Sequence, residues 1–194
     1  MFRTTSDLLD SLSKYANPDM KIKRMVQEGS LFRLRRGLYA TTRNISSYLL
    51  AGVIYGPSYI SFETALSRYG LIPERVYACT SATFKKNRSK TYKNDFGVFE
   101  YRDIPAAAYP LGVRLAEENG IFYAIASPEK AICDMLYIQP PVYSKKSLED
   151  LMFEDLRIDE EIFGKLKYQD MQYLVPRYRR RNLKLLSELL EKRC

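Results

Sequence analysis

"LFRLRRGLYA", residues 31–40, decides how this chain is read. The stretch predicts two short strands, residues 31–34 and 38–40, joined by a turn at Arg35-Arg36-Gly37. Gly37 supplies the positive φ that a tight hairpin turn requires. The same ten residues carry Arg33, Arg35 and Arg36. Three guanidinium groups crowded at a hairpin tip repel one another and gain nothing for the fold. Their reason has to lie outside the hairpin.

Upstream, "TSDLLDSLSKY" (5–15) places Leu8, Leu9 and Leu12 at helical spacing, with Thr5 or Ser6 able to cap its start. "NPDMKIKRMVQEGS" (17–30) predicts a second helix. Asn17 caps it, Pro18 sits at its first position, and Gly29 closes it. Ile22, Met25 and Val26 share one face, while Lys21, Lys23, Arg24 and Gln27 lie elsewhere on its surface. Helix, helix, basic hairpin is the order of a winged helix-turn-helix lacking one helix. "TTRNIS" (41–46) reads as a linker.

From Tyr48 the composition changes. "YLLAGVIYG" (48–56) predicts a buried apolar helix, and "SYISFETALSRYGLIP" (58–73) a second, ended by Gly70 and Pro73. "RVYACTSAT" (75–83), "GVFEYRDI" (97–104) and "GIFYAIA" (120–126) read as strands rich in β-branched and aromatic residues. "FKKNRSKTYKND" (84–95) reads as a basic loop between two of them. "SPEKAICDMLY" (127–137) is a helix capped by Ser127, and the remainder from about Ser147 is helical. The expected fold is therefore α+β. A small winged-helix-like module, shortened, spans residues 1–43. A domain with a mixed β-sheet flanked by helices spans 44–194.

Charge narrows the function. The chain has 194 residues, 31 Lys+Arg against 23 Asp+Glu, and a formal net charge of +8. Such a field favours polyanions. Between residues 20 and 43, Lys21, Lys23, Arg24, Arg33, Arg35, Arg36 and Arg43 face Glu28 alone. With Gln27, these seven cations are the candidate DNA-binding residues: the helix fits a major groove and the hairpin reaches the backbone. Two other stretches are candidates for a second basic surface. One holds Lys85, Lys86, Arg88 and Lys90, and the other Arg177, Arg179, Arg180 and Arg181. For the latter, pairing with the acidic block 149–161 is the favoured expectation.

The chain has no histidine, which removes the commonest general base and metal ligand. Its three cysteines, Cys79, Cys133 and Cys194, are widely spaced, so neither a disulfide framework nor a zinc site is expected, and the reading is cytoplasmic. Neither phosphate-loop pattern, GxxxxGK[ST] or GxGxxG, is present. No enzyme activity, cofactor, metal or membrane span is expected.

"GSLFRLRRGLYA" (29–40), "YGPSYISFETALSRYGLIPERVYACTSAT" (55–83) and "IASPEKAICDMLY" (125–137), in this order and spacing, resemble the AbiEi family. Its members are antitoxins and transcriptional regulators of type IV toxin–antitoxin, or abortive infection, systems. The resemblance covers roughly residues 18–185. It implies a winged-helix domain that binds double-stranded operator DNA with inverted repeats, and a larger C-terminal antitoxin domain. It also implies a nucleotidyltransferase-like toxin as functional partner, with no stable complex between the two. Lys21, Lys23 and Arg24 would lie on the recognition helix and Arg33, Arg35 and Arg36 on the wing. Tyr59, Ser61, Ala65, Leu66, Gly70 and Pro73 match the middle block and read as structural. Members usually place three helices before the wing, and this chain has room for about two. The alternative is an antitoxin or interaction module that counteracts such a toxin through protein or RNA contacts without binding DNA.

Overall fold

Thr4 and Asp7 start the first helix by satisfying each other. The Asp7 N–H donates to Thr4 Oγ1 at 3.2 Å, and the Thr4 N–H donates to Asp7 Oδ2 at 2.8 Å. This reciprocal pair places the cap at Thr4 rather than at Thr5 or Ser6. The computed structural model describes residues 1–118 and 120–191. It opens with strand β1 (Phe2–Thr4) and helix α1 (Thr5–Ser11). Helix α2 (Pro18–Gln27) follows, with the Asn17 side chain accepting from the Met20 N–H and Gly29 at φ +72. The hairpin strands are β2 (Phe32–Arg35) and β3 (Leu38–Ala40), with Gly37 at φ +79 between them.

β1 is one element the sequence does not announce, and strand β4 (Tyr59–Ile60), inside the stretch 58–73 read as a single helix, is another. β1 is three residues long and pairs antiparallel with β3, making a small sheet in the order β1-β3-β2. Its stability comes from that pairing, since three residues have no periodicity to read.

The larger part is built on a six-stranded mixed sheet. Helix α3 (Ser47–Ile54) precedes β4 (Tyr59–Ile60) and α4 (Phe62–Arg68). Then come β5 (Ala78–Thr83), β6 (Lys90–Asn94), β7 (Gly97–Asp103), β8 (Val113–Glu118) and β9 (Ile121–Ala126). The order is β6-β7-β5-β4-β9-β8, with β4–β9 and β5–β7 parallel and the other pairs antiparallel. β6 and β8 occupy the two edges. Both are strongly polar, "KTYKN" and "VRLAEE", as edge strands tend to be. For that reason β6 reads as part of a loop in the sequence and β8 carries no strand signal.

Helix α5 (Pro128–Ile138) packs against α4 and β9, capped by the Ser127 side chain. The chain ends in α6 (Lys145–Glu149), a π-helical turn (Asp150–Asp155), α7 (Glu160–Gly164), α8 (Tyr168–Leu174), a 3-10 turn (Val175–Arg177) and α9 (Arg181–Leu190). The fold is α+β, as expected. Among the described residues no helix is long and apolar enough to cross a membrane.

The small sheet has two packed faces. Leu31 and Tyr39 join Leu8 and Ile22 in a satellite core, against Leu9, Leu12, Met25 and Val26. Leu34, Leu38 and Ala40 join the large core. Each fully buried leucine contributes roughly 1.5–3 kcal/mol, so the hairpin is fastened from both sides. Phe32 meets Phe96 edge-on at 5.9 Å, and Asn94 Nδ2 donates to the Leu34 carbonyl at 3.0 Å. The helical pair therefore rests on the large domain through a shared sheet.

Beneath the large sheet lies a closed polar cluster. Lys130 and Asp134, one helical turn apart on α5, form an ion pair of 3.0 Å with both side chains at 0% exposure. Asp134 Oδ2 accepts from Tyr59 and Ser61, and Oδ1 from Tyr178; Lys130 also donates to the Ala108 carbonyl. Tyr59 and Ser61 thus hold the buried acid in place. Burial, then the charge of Asp134, raises both the Tyr59 and Tyr178 hydroxyls well above their usual 10.0.

Candidate nucleic-acid interface

The apolar face of α2 is spent on the satellite core, which fixes what the opposite face shows. Met20, Lys23, Arg24 and Gln27 fall at helical spacing and are all exposed. Lys21 lies about 100° round the axis from Met20. It is half-buried, with its ammonium 5.7 Å from the centre of the Tyr15 ring. The exposed stripe is therefore Met20-Lys23-Arg24-Gln27, and Lys21 stands at its border. Arg24 meets Glu28 at 2.7 Å, with the two side chains 72% and 49% exposed. A pair that open to water is worth little and yields readily to a phosphate.

Helix α2 passes directly into the hairpin, since the N–H groups of Ser30 and Leu31 both donate to the Met25 carbonyl. Across the small sheet, Arg3 and Arg33 stand opposite Tyr39 from either side. Tyr39 packs on the helices, so both arginines belong to the helix-bearing face of the sheet. Both are exposed. Arg36 is exposed in the turn, and Arg43 is exposed beyond β3. Of the seven cations between residues 20 and 43, only Arg24 pairs with a carboxylate among the described residues.

Arg35 is used differently. Its Nε–H donates to the Ile54 carbonyl at 2.8 Å, at the C-terminal end of α3. Lys86 comes to the same place from the other side. Its Nζ donates to the Gly56 carbonyl at 3.2 Å and lies 5.1 Å from the Tyr55 ring centre. Cations at a helix C-terminus are favoured by the helix dipole. The structure therefore brings the hairpin and the basic stretch after β5 to one point.

That stretch is a preorganised loop. Asp103, at the end of β7, accepts from the N–H groups of Lys86 and Asn87, each at 2.6 Å, and from the Thr83 hydroxyl. Lys85 and Asn87 both hold left-handed backbone, φ 55 and 54, which residues with a Cβ adopt at a cost. Lys85 and Arg88 project from it exposed, and Lys90 begins β6 half-buried. Lys93 is exposed on β6.

The third basic stretch is elsewhere in the fold. Arg177, Arg179, Arg180 and Arg181 surround the start of α9, all exposed. They do not pair with the acidic block as expected. Asp150 pairs with Lys146, Glu161 with Lys165, and Arg157 reaches out to Glu74. Asp150 and Glu161 are thus satisfied by (i, i+4) partners on their own helical segments.

Sequence reasoning passed over Arg3 and Met20, while Lys93 was read as part of the basic loop. Met20 was legible, since it sits three residues before Lys23 and seven before Gln27. Arg3 needed β1, and the place of Lys93 on a strand rather than in a loop needed β6. Of the carboxylates near apolar segments, Asp134 is enclosed as described. Glu63 pairs with Arg102 at 2.7 Å, and Glu129 is buried beneath the Lys167 N–H. Cys79 and Cys133 are buried thiols, Cys79 pushed up to about 12 by burial; Cys194 lies outside the described residues.

No protein-family model matches this chain, and no curated protein is significantly similar to it.

Proposed function

We propose that this chain is a DNA-binding antitoxin that represses its own operon. The observation carrying the DNA-binding part is the α2 stripe, Lys23, Arg24 and Gln27 with Met20, beside a hairpin whose Arg33 and Arg36 have no acid partner among the described residues. The order β1-α1-α2-β2-β3 supports the winged-helix-like reading. In it α2 enters the major groove, Gln27 and Arg24 reach base edges, and Arg33 and Arg36 bind phosphates. The resemblance of residues 18–185 to AbiEi proteins supports the rest. The operator carries inverted repeats, the partner is a nucleotidyltransferase-like toxin encoded next door, and both work in the cytoplasm without a stable complex. No cofactor is required.

Binding of the full chain to its own promoter fragment across a salt series tests this. Four phosphate contacts give a slope of log affinity on log salt near about −3.6. A flat response, or no binding at low salt, overturns it. A toxin-like reading frame beside the gene, with protection of cells that express it, supports the antitoxin half.

A further inference from the structure

The arginines around α9 frame a second site with its own chemistry. Arg179, Arg180, Arg181 and Lys184, with the apolar Val175 and Pro176, line an open groove of about 530 Å³. None of the ion pairs among the described residues uses these four cations. Positive charge at the first turn of a helix is opposed by the helix dipole. Arg181 is tied by its Nε–H to the Val142 carbonyl at 3.1 Å, which leaves Arg179, Arg180 and Lys184 with no hydrogen bond from their side chains among the described residues. Arg179 also holds left-handed backbone, φ 50, at a further cost.

Aromatic rings stand where acids would be expected. The Arg181 guanidinium lies 4.6 Å from the centre of the Tyr143 ring, and that of Arg180 5.2 Å from Tyr137. Tyr143 is 72% exposed, a large ring left in water beside the groove. A guanidinium over a ring keeps its full charge. At that exposure the Tyr143 ring keeps area for a second flat partner, next to Arg181 of the groove lining.

We infer that this groove binds single-stranded nucleic acid, its phosphates along Arg179, Arg180 and Lys184 and one unpaired base on Tyr143. Cations tracking a backbone beside an exposed aromatic platform are what an unpaired strand needs. A duplex hides its base faces in its own stack and gains nothing from Tyr143. An acidic peptide meets the cations equally well but leaves the ring unused. RNA and DNA share the required chemistry. The site is independent of the duplex-binding reading of the N-terminal face.

The test uses the full chain with a short fluorescent oligouridylate, the matching oligodeoxyuridylate and a duplex of equal length, followed by anisotropy. At least one single strand should bind; a preference between the two identifies the sugar. Arg180→Ala with Lys184→Ala should lower the salt slope by about 1.4, and Tyr143→Ala should weaken binding by about tenfold. All three side chains are exposed, so thermal melts should be unchanged. Arg33→Ala with Arg36→Ala should leave single-strand affinity as it was. The inference fails if neither strand binds at low salt, if Tyr143→Ala has no effect, or if the groove variants weaken the duplex to the same degree.

Discussion

Arg35 donates its Nε–H to the carbonyl oxygen of Ile54 at 2.8 Å, tying the hairpin tip to the last residue of α3. Arg33 and Arg36, its near neighbours in sequence, make no such bond among the described residues. Three arginines that look equivalent in the sequence therefore divide into one that fastens the hairpin and two that stand exposed.

Arg35→Ala should lower stability by about 1 kcal/mol, the scale of a partly exposed hydrogen bond from a charged donor. Arg33→Ala and Arg36→Ala should each stay within about 0.5 kcal/mol of the parent. Urea denaturation of the three variants separates them. Equal losses for all three would remove the distinction.

Arg33→Ala with Arg36→Ala should make the salt slope of promoter binding shallower by about 1.8. Under the proposed function, the same double variant should in cells lose repression of a promoter fusion while still protecting against the toxin that reading calls for. Retained repression with lost protection would reverse the proposed division between hairpin and large domain.

Asp103→Ala should loosen the loop between β5 and β6. The N–H groups of Lys86 and Asn87 lose their acceptor, and the left-handed backbone at Lys85 and Asn87 loses its restraint. Limited trypsin digestion reads this directly, because Lys85, Lys86 and Arg88 are themselves cleavage sites. Cleavage there should rise about tenfold, corresponding to about 1.4 kcal/mol of easier local opening. An unchanged digestion rate would show that the loop is held by other means.

Asp134→Ala should cost about 3–5 kcal/mol, because it leaves the Lys130 ammonium buried without its counter-charge. Tyr59, Ser61 and Tyr178 lose their acceptor in the same step. A variant that melts within a few degrees of the parent would mean that water enters the cluster at little cost.

Stability should fall on the alkaline side. Tyr59 and Tyr178 hold their protons more tightly folded than unfolded, through burial first and the Asp134 charge next. Their contribution is complete below the usual 10.0 and declines as pH rises above it, by up to about 1.4 kcal/mol per group per pH unit. Ultraviolet titration should show these two tyrosines ionising only with unfolding. On the acid side Asp7 acts with the opposite sign. The Thr4 N–H and hydroxyl hold its carboxyl below the usual 3.8, so its cap persists above that value and is lost as pH falls through the folded one.

Most helices and the strands β5, β7 and β9 were written in local patterns, whereas the two-residue β4 (Tyr59–Ile60) lies in the stretch 58–73 that reads as a helix, because it is a strand only through its pairing with β5 and β9. Asn17-Pro18, Gly29, Ser127-Pro128 and the apolar run 121–126 each act through neighbours a few residues away, so they can be read without a fold. The seven cations of residues 20–43 were equally plain, because charge is a property of composition. Edge strands β6 and β8 were not, since their polar faces imitate loops and only a partner strand makes them strands. Nor could any local pattern show that Asp103 would hold Lys86 from seventeen residues away, or that Tyr143 would stand beside Arg181.

By itself the sequence determined an α+β chain with a basic helix and hairpin near its start, since backbone propensity, capping and charge are local. Only the tertiary structure decided which cations are free. Whether a guanidinium meets a carbonyl, an acid, a ring or water depends on residues far away in the chain, brought close by packing the sheet.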